Sequence, residues 1–362
     1  MNEPESWQQE LRNCIRTLEQ LERLIPLSNK PVLAQTLKEM RFSITPHTLT
    51  FIDWGNPRDP LLLMCVPHER ELIVSPEELR DPIGDEDRSP IPFLTHRYPD
   101  RALIYTTFFC SLSCRFCFRR FKTGSANPGP TPAEIDRICA YLHTHPEIEE
   151  IILTGGDPLT LVDRQLEMWL KTLRMITSIQ RIRIHTRVPV NLPSRITDTL
   201  THLLHSYTDS THPVYVVTHF NHAREVASEN IAAIAKLVDA GIVVRNQSVL
   251  LKGVNDDAET LTHLFKTLTN IRVAPYYLHQ LDLARGTNHF RVPMRRGIAL
   301  MRELQGRVTG IALPRYMLDL PQGKGKVPLS YPYVTQEHDE YRIESPFGER
   351  VTYQEPCTLS DD

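Results

Sequence analysis

Residues 102–120 read "ALIYTTFFCSLSCRFCFRR", and the change of character at residue 110 decides the fold. "ALIYTTFF" is rich in β-branched and aromatic side chains, which predicts a strand. It runs directly into Cys110, Cys114 and Cys117, spaced C-x3-C-x2-C. Parallel α/β sheets gather their ligands at the carboxyl ends of their strands, so the cysteines lie in a loop over such an end. Further strand candidates follow at 150–156 ("EIILTGG"), 181–188 ("RIRIHTRV"), 214–220 ("VYVVTHF"), 242–251 ("IVVRNQSVLL") and 272–280 ("RVAPYYLHQ"). Amphipathic helical stretches separate them, which predicts an α/β fold of about six βα units, an incomplete TIM-type barrel. Each strand closes on polar residues: Cys110; Gly155, Gly156 and Asp157; His185 and Arg187; His219; Gln247; and His279 followed by Asp282. These groups are expected to converge on one mouth.

Around the barrel, taken as 96–290, the flanks read differently. Trp7, Leu11, Ile15, Leu18, Leu21 and Ile25 form one helical stripe, expected to dock on the main body or on a partner chain. Residues 26–95 are rich in proline and acid, as in "PEELRDPIGDEDRSPIP", and read as a wrapping segment with no identifiable chemistry. The N-terminal segment is therefore set at 1–95 and a C-terminal segment at 291–362.

A net charge of -3 over 362 residues gives no electrostatic case for nucleic acid or a membrane surface, so a small-molecule substrate is expected. The acidic start "MNEPESWQQE" is unlike a secretory signal, and no run of about 18 apolar residues occurs. A cytoplasmic protein is expected. Seven cysteines are present, and Cys14, Cys65, Cys139 and Cys357 stand singly, as ordinary thiols rather than a disulfide framework.

Three thiolates without an evident fourth ligand leave several readings. Structural zinc wants another Cys or His at finger-like spacing, and the nearest following His lies far along, in "YLHTHP". A redox dithiol needs only C-x-x-C and gives Cys110 no purpose. An iron–sulfur cluster held by three thiolates keeps one iron open for an outside ligand.

The motif and its place after the first strand resemble the radical S-adenosylmethionine enzymes. In that family the substrate-like cofactor closes the open iron, which implies a 4Fe–4S cluster on Cys110, Cys114 and Cys117. "TGGD" at 154–157 is similar to the family's glycine pair after the second strand, which implies that Gly155, Gly156 and Asp157 bind S-adenosylmethionine, and His219, at a later strand end, is taken as a further cofactor-binding residue. The physical reason offered for such glycines is close approach of bare backbone to a ligand amino group.

A narrower resemblance covers nearly the whole chain. "LTHRYPDRAL", "CRFCFRR", "THFNH", "NQSVLLKGVND", "HFRVP" and "LDLPQGKGKVPLSYPYV" resemble the lysine 2,3-aminomutase family. The likeness implies that Lys326, in a glycine-rich loop, forms a Schiff base with pyridoxal phosphate. It implies that Arg101, Tyr98 and Gln247 contact that cofactor, with Arg101 suited to phosphate by its planar fork. Arg119 would bind the substrate α-carboxylate, whereas Arg120 has no assignment and reads as solvated. Asp282 and Asp319 match the carboxylates that hold a distant ε-ammonium, favouring L-lysine over glutamate.

The implied activity is L-lysine 2,3-aminomutase, an isomerase that interconverts L-lysine and β-lysine through a 5′-deoxyadenosyl radical. The family also implies a one-electron donor such as flavodoxin or ferredoxin, and a homo-oligomer. Two alternatives stay open: the subgroup making (R)-β-lysine for elongation factor P, and an aminomutase for another amino acid such as glutamate. Members of that subgroup end soon after the pyridoxal lysine, whereas this chain continues to "GERVTYQEP". No zinc is expected, because Asp257 stands where clostridial members have a further cysteine and the tail offers only Cys357.

Overall fold

Nine strands join edge to edge in sequence order into one curved sheet. In the computed structural model, which describes residues 6–27, 29–124, 128–337 and 340–353, β1 (Leu94–Tyr98) opens the sheet antiparallel to β2 (Arg101–Thr107). Then β3 (Glu150–Gly155), β4 (Arg181–His185), β5 (Val214–Thr218), β6 (Val243–Leu250), β7 (Ala274–Gln280) and β8 (Arg315–Leu320) follow β2 in parallel. A short β9 (Gly325–Pro328) returns antiparallel on β8. The crossover helices are Pro132–His143, Asp163–Arg174, Asp198–Ser206, Ser228–Asp239, Ala258–Asn270 and Met294–Leu304. This is the incomplete TIM-type barrel of six βα units, with one parallel strand and two antiparallel edge strands more than the sequence reading named. The sheet runs on past residue 290, so Lys326 stands on its last strand. Cys357 lies outside the described residues.

Period-two alternation explains why this barrel is hollow. In β4, Ile182 and Ile184 turn outward to the helices, while Arg181, Arg183 and His185 face inward. In the same way β5 sends Tyr215 and Val217 inward, and β6 sends Arg245, Gln247 and Val249. A closed barrel fills its interior with branched apolar side chains. Here polar and charged side chains stand among the apolar ones and leave a space.

Two apolar clusters hold the frame. The larger, between the sheet and its helices, includes Ile104, Ile151, Leu166, Ile184, Val216 and Leu264. The smaller packs Leu21, Ile44, Leu61 and Met64 from the N-terminal segment onto Leu112 and Phe116 of the cysteine loop. Each fully buried side chain of this kind contributes about 1.5–3 kcal/mol. The cysteine loop is therefore clamped from above by the wrapping segment.

The predicted single N-terminal helix is two short ones, Ser6–Arg12 and Leu18–Glu22. Thr17 stops continuity, since its side chain and that of Gln20 form a capping box that starts the second helix afresh. Trp7 inserts into the main core, and the Arg195 guanidinium lies 4.6 Å over its ring. The segment thus docks on the main body. At the other end β10 (Val334–Glu337), β11 (Glu340–Glu344) and β12 (Arg350–Tyr353) make a separate antiparallel sheet. Among the described residues no helix is long and apolar enough to cross a membrane.

Candidate active site

The barrel interior encloses a cavity of about 680 Å³, and every site residue nominated from the sequence lines it. At its mouth lie Cys110, Cys114 and Cys117, all free thiols. Their loop is held by its arginines. Arg115 donates to both oxygens of Glu71, at 2.9 and 2.6 Å, and Arg120 bonds the same carboxylate and the Gly286 carbonyl, the latter at 2.8 Å. Arg120 is thus fully buried rather than solvated, because Glu71 supplies the counter-charge that a buried guanidinium requires.

A third arginine organises the opposite side of the mouth. Arg187 donates to the Cys114 sulfur at 2.7 Å and to the His219 carbonyl at 3.2 Å, and pairs with Glu225. Its own backbone N–H donates to Asp157 at 2.6 Å. Asp157 also accepts from the Thr186 hydroxyl at 2.6 Å and the Leu159 N–H at 3.1 Å, so its carboxylate fastens the ends of β3 and β4 together. Burial pushes up the Cys110 and Cys117 thiols, Cys117 to about 11.

Gly155 and Gly156 sit beneath this loop, where the neighbouring backbone itself requires them. A Cβ on Gly155 would strike the Thr107 carbonyl, and one on Gly156 would strike the Phe109 carbonyl. The glycine pair lets β3 pass hard against the backbone from which the cysteine loop departs.

One wall of the cavity comes from the wrapping segment, contrary to its reading as chemically silent. Asp85, 2% exposed, takes one oxygen to Arg97 at 2.8 Å and the other to Arg119 Nε and Nη2 at 3.1 and 3.0 Å. Arg119 Nη1 donates to the Thr154 hydroxyl at 3.2 Å. Burial opposes the charge on Asp85, but Arg119 and Arg97 outweigh it and hold its pKa below the usual carboxylate range.

Beyond Arg97, lining the same cavity, stand Asp282, Asp319 and Lys326. Asp319 and Lys326 are register partners on β8 and β9 and form an ion pair. His279 Nδ1 lies 3.5 Å from the same carboxylate and Arg97 3.9 Å from its other oxygen. Burial would raise Asp319, yet the bond from His279 and the charge of Lys326 keep it well below the usual range. For Asp282 the balance is reversed. Burial first, then the charge of Asp319, push it up to about 7, the charges of Lys326 and Arg291 being too weak to offset them, and its Oδ1 has no hydrogen-bond partner.

The floor is basic and aromatic. Arg101 lies at the start of β2, at the amino end of the barrel rather than at the mouth, with its guanidinium 3.8 Å from the Tyr98 ring centroid. The Tyr98 hydroxyl in turn accepts the Lys326 backbone N–H at 2.8 Å, which bridges the unpaired edges β1 and β9. Arg183 and Arg245 join Arg101 there. Gln247 Nε2 lies 3.4 Å from His185 Nδ1, and burial holds His185, His219 and His279 below the ordinary imidazole range, hence neutral near pH 7. Of these lining residues the sequence reading missed Asp85, Arg97, Arg183 and Arg245; the alternation in "RIRIH" could have shown that Arg183 shares a face with His185.

Residues 104–265 match the Radical SAM superfamily. The L-lysine 2,3-aminomutase of Clostridium subterminale is 40% identical over 357 residues, covering 98% of this chain and 85% of its own. That of Acetoanaerobium sticklandii is 40% identical over 353 residues, covering 97% and 84%. The glutamate 2,3-aminomutase of Clostridioides difficile is 37% identical over 337 residues, covering 92% and 78%. The chain belongs to the lysine 2,3-aminomutase family of radical SAM enzymes. It is an aminomutase, a radical SAM and pyridoxal-phosphate-dependent isomerase whose cofactors are a 4Fe–4S cluster, S-adenosylmethionine and pyridoxal phosphate.

The lining suits those groups. His185 Nε2, His219 Nε2, Asp282 Oδ1, Asp319 Oδ1 and the Nε atoms of Arg97 and Arg183 are buried without hydrogen-bond partners, and all belong to cavity residues. Each such atom costs about 1–3 kcal/mol unless a ligand satisfies it. The cavity is built for an occupant that is polar at several points.

Proposed function

We propose that the enzyme moves the α-amino group of L-lysine to C3, giving β-lysine. The observation that carries this reading is that Asp282 and Asp319 line one cavity with Arg119, with an Asp282 oxygen unpartnered. A substrate with a carboxylate at one end and an ammonium at the other meets complementary charge at both. Glutamate would bring a second carboxylate against two aspartates.

In this reading Cys110, Cys114 and Cys117 hold the cluster, with Gly155, Gly156, Asp157 and His219 bordering S-adenosylmethionine. Lys326 anchors pyridoxal phosphate, and Arg101, Tyr98 and Gln247 contact it, Arg101 at the phosphate. When bound, the cluster and S-adenosylmethionine supply a 5′-deoxyadenosyl radical that can take hydrogen from an unactivated carbon, and pyridoxal phosphate supplies the π-system across which nitrogen migrates. The protein's own work is placement. Arg119 fixes the carboxylate end, next to Cys117 in sequence and so beside the radical source. Asp282 and Asp319 fix the far end. Lys326 neutralises Asp319 until it engages the cofactor, after which both carboxylates are open to the substrate ammonium. The buried neutral histidines add no charge to the cavity, and the wrapping segment covers the cysteine loop at the mouth.

A flavodoxin or ferredoxin is the proposed electron donor, and a homo-oligomer the proposed assembly. The deciding experiment is anaerobic incubation with S-adenosylmethionine, pyridoxal phosphate, dithionite and either L-lysine or L-glutamate, with NMR of the products. β-Lysine from lysine alone is expected; β-glutamate in its place would overturn the assignment.

A further inference from the structure

The geometry points to Asp85 and Thr154 as positioning residues that leave Arg119 only one edge with which to take the substrate carboxylate. The inference rests on the reading of Arg119 as that clamp. A guanidinium offers N–H groups along its side edge, its end edge and the side facing its own chain. In Arg119 the side edge, Nε with Nη2, is engaged by Asp85 Oδ2 at 3.1 and 3.0 Å, and Nη1 donates to Thr154 Oγ1 at 3.2 Å. What remains is one N–H on each terminal nitrogen, and with the side edge taken by Asp85 a carboxylate that bonds both must approach end-on. A carboxylate binding there must lie coplanar with the guanidinium and in line with its Cζ.

The plane itself is also set. The guanidinium carbon sits 4.5 Å from the Phe118 ring centroid and 5.1 Å from that of Tyr105. Asp85 cannot drift, because its other oxygen is held by Arg97 at 2.8 Å and its backbone N–H donates to Asp81 at 3.0 Å. Nor can its turn, since a Cβ on the preceding Gly84 would run into the backbone of Gln322 and Gly323. Those residues lead into β9 and Lys326. Asp85 therefore ties the position of the carboxylate clamp to the hairpin that carries the lysine, two parts of the chain that share no sequence neighbourhood. The distance between the two ends of the substrate site is thereby fixed before substrate arrives.

Steady-state kinetics with L-lysine, and competitive inhibition by L-lysinamide, which lacks the carboxylate, test this. Asp85→Asn is expected to raise KM for lysine by about 10- to 100-fold, the effect of misaligning a charge-assisted bidentate contact. kcat should change much less and the Ki of lysinamide should stay put. Asp85→Glu should recover part of the loss. Thr154→Val, nearly isosteric, should raise KM by several-fold through the same edge, and it carries the test if Asp85→Asn does not fold. An unchanged KM, or KM and the lysinamide Ki rising together, would overturn the inference. Arg119→Lys separates the two layers: if it leaves KM for lysine unchanged the clamp reading fails, and if it raises KM while Asp85→Asn and Thr154→Val do not, only the positioning inference fails.

Discussion

Asp85 and Asp282 are the same side chain, both carried away from water into one cavity, and they end in opposite states. Asp85 lies between two guanidiniums, its oxygens at 2.8 to 3.1 Å from Arg97 and Arg119, and is held below the ordinary carboxylate range. Asp282 has a neighbouring carboxylate instead of a bonded cation and is pushed up to about 7. Burial raises both; partners decide the outcome. The difference separates scaffold from receptor. A carboxylate that the protein has already satisfied sets geometry, and one left unsatisfied reserves its charge for a ligand.

The sharpest way to break that division is to neutralise the receptor. Asp282→Asn keeps shape and removes the charge that the substrate ammonium would meet, so kcat/KM for lysine should fall about a thousandfold, near 4 kcal/mol, within the range for losing one partner of a buried ion pair. Anaerobic product assays at matched cofactor loading measure it. A loss under tenfold would mean that Asp282 does not face the substrate's cation.

Removing the scaffold carboxylate should act first on the fold. Asp85→Ala leaves Arg97 and Arg119 buried without their common anion, at a cost of about 3 kcal/mol. Urea unfolding should show a lower midpoint with an unchanged slope. An unaltered midpoint would contradict the assignment of Asp85 as scaffold.

The contrast between these walls also marks where sequence reading reached and where it stopped. Period-two strands alternating with amphipathic helices announced the parallel barrel, and polar residues at strand ends announced the cavity that gathers the cysteines, Arg119, Gln247, Asp282 and Lys326. Local pattern sufficed because strand and ligand are adjacent in sequence. Asp85 escaped because its partner Arg119 is 34 residues away, inside a stretch that looks like any acidic loop. Arg120 was misread for the same reason, since Glu71, which allows its burial, is 49 residues distant. The last parallel strand, "RYMLDL", was overshadowed by the lysine loop that follows it, and the Thr17 capping box broke a stripe that periodicity alone would have continued. Resemblance supplied the roles for Lys326 and the two aspartates; neither spacing nor charge would have done so.

A milder effect should appear in stability. Asp282's pKa is raised on folding, so the folded state holds a proton that the unfolded chain has released between about pH 4 and 7. Stability therefore declines as pH rises through that window and is flat above it. Asp282→Asn removes the penalty. It should stabilise the cofactor-free protein by about 2 kcal/mol above pH 7, less than the full shift implies because the cavity admits water, and should change little near pH 4. Thermal melts at pH 4.5 and 8 give the two ends of the comparison, and an equal gain at both would remove the titration of Asp282 as its cause.

The smallest effect is the most specific, because it reads Asp282 through a ligand. Lysine itself is a poor probe: its α-amine must lose a proton to react, and this adds a slope of its own. 6-Aminohexanoate has both charged ends and no α-amine, and neither end titrates between pH 6 and 8. On the pyridoxal-free protein, where Lys326 stays paired with Asp319, the Kd of 6-aminohexanoate by calorimetry should be nearly constant above pH 7 and rise about tenfold by pH 6, one unit below the pKa, as Asp282 takes up a proton and no longer attracts the ammonium. The other groups nearby are silent in this window, since Lys326 and His279 keep Asp319 ionised and burial keeps His185, His219 and His279 neutral. In Asp282→Asn the profile should be flat and high. In Asp85→Asn it should be displaced upward as a whole while keeping its bend near pH 7, because the scaffold carboxylate governs the carboxylate end and only weakly the proton on Asp282. A bend that vanished with Asp85 rather than with Asp282 would reverse the roles assigned to the two walls.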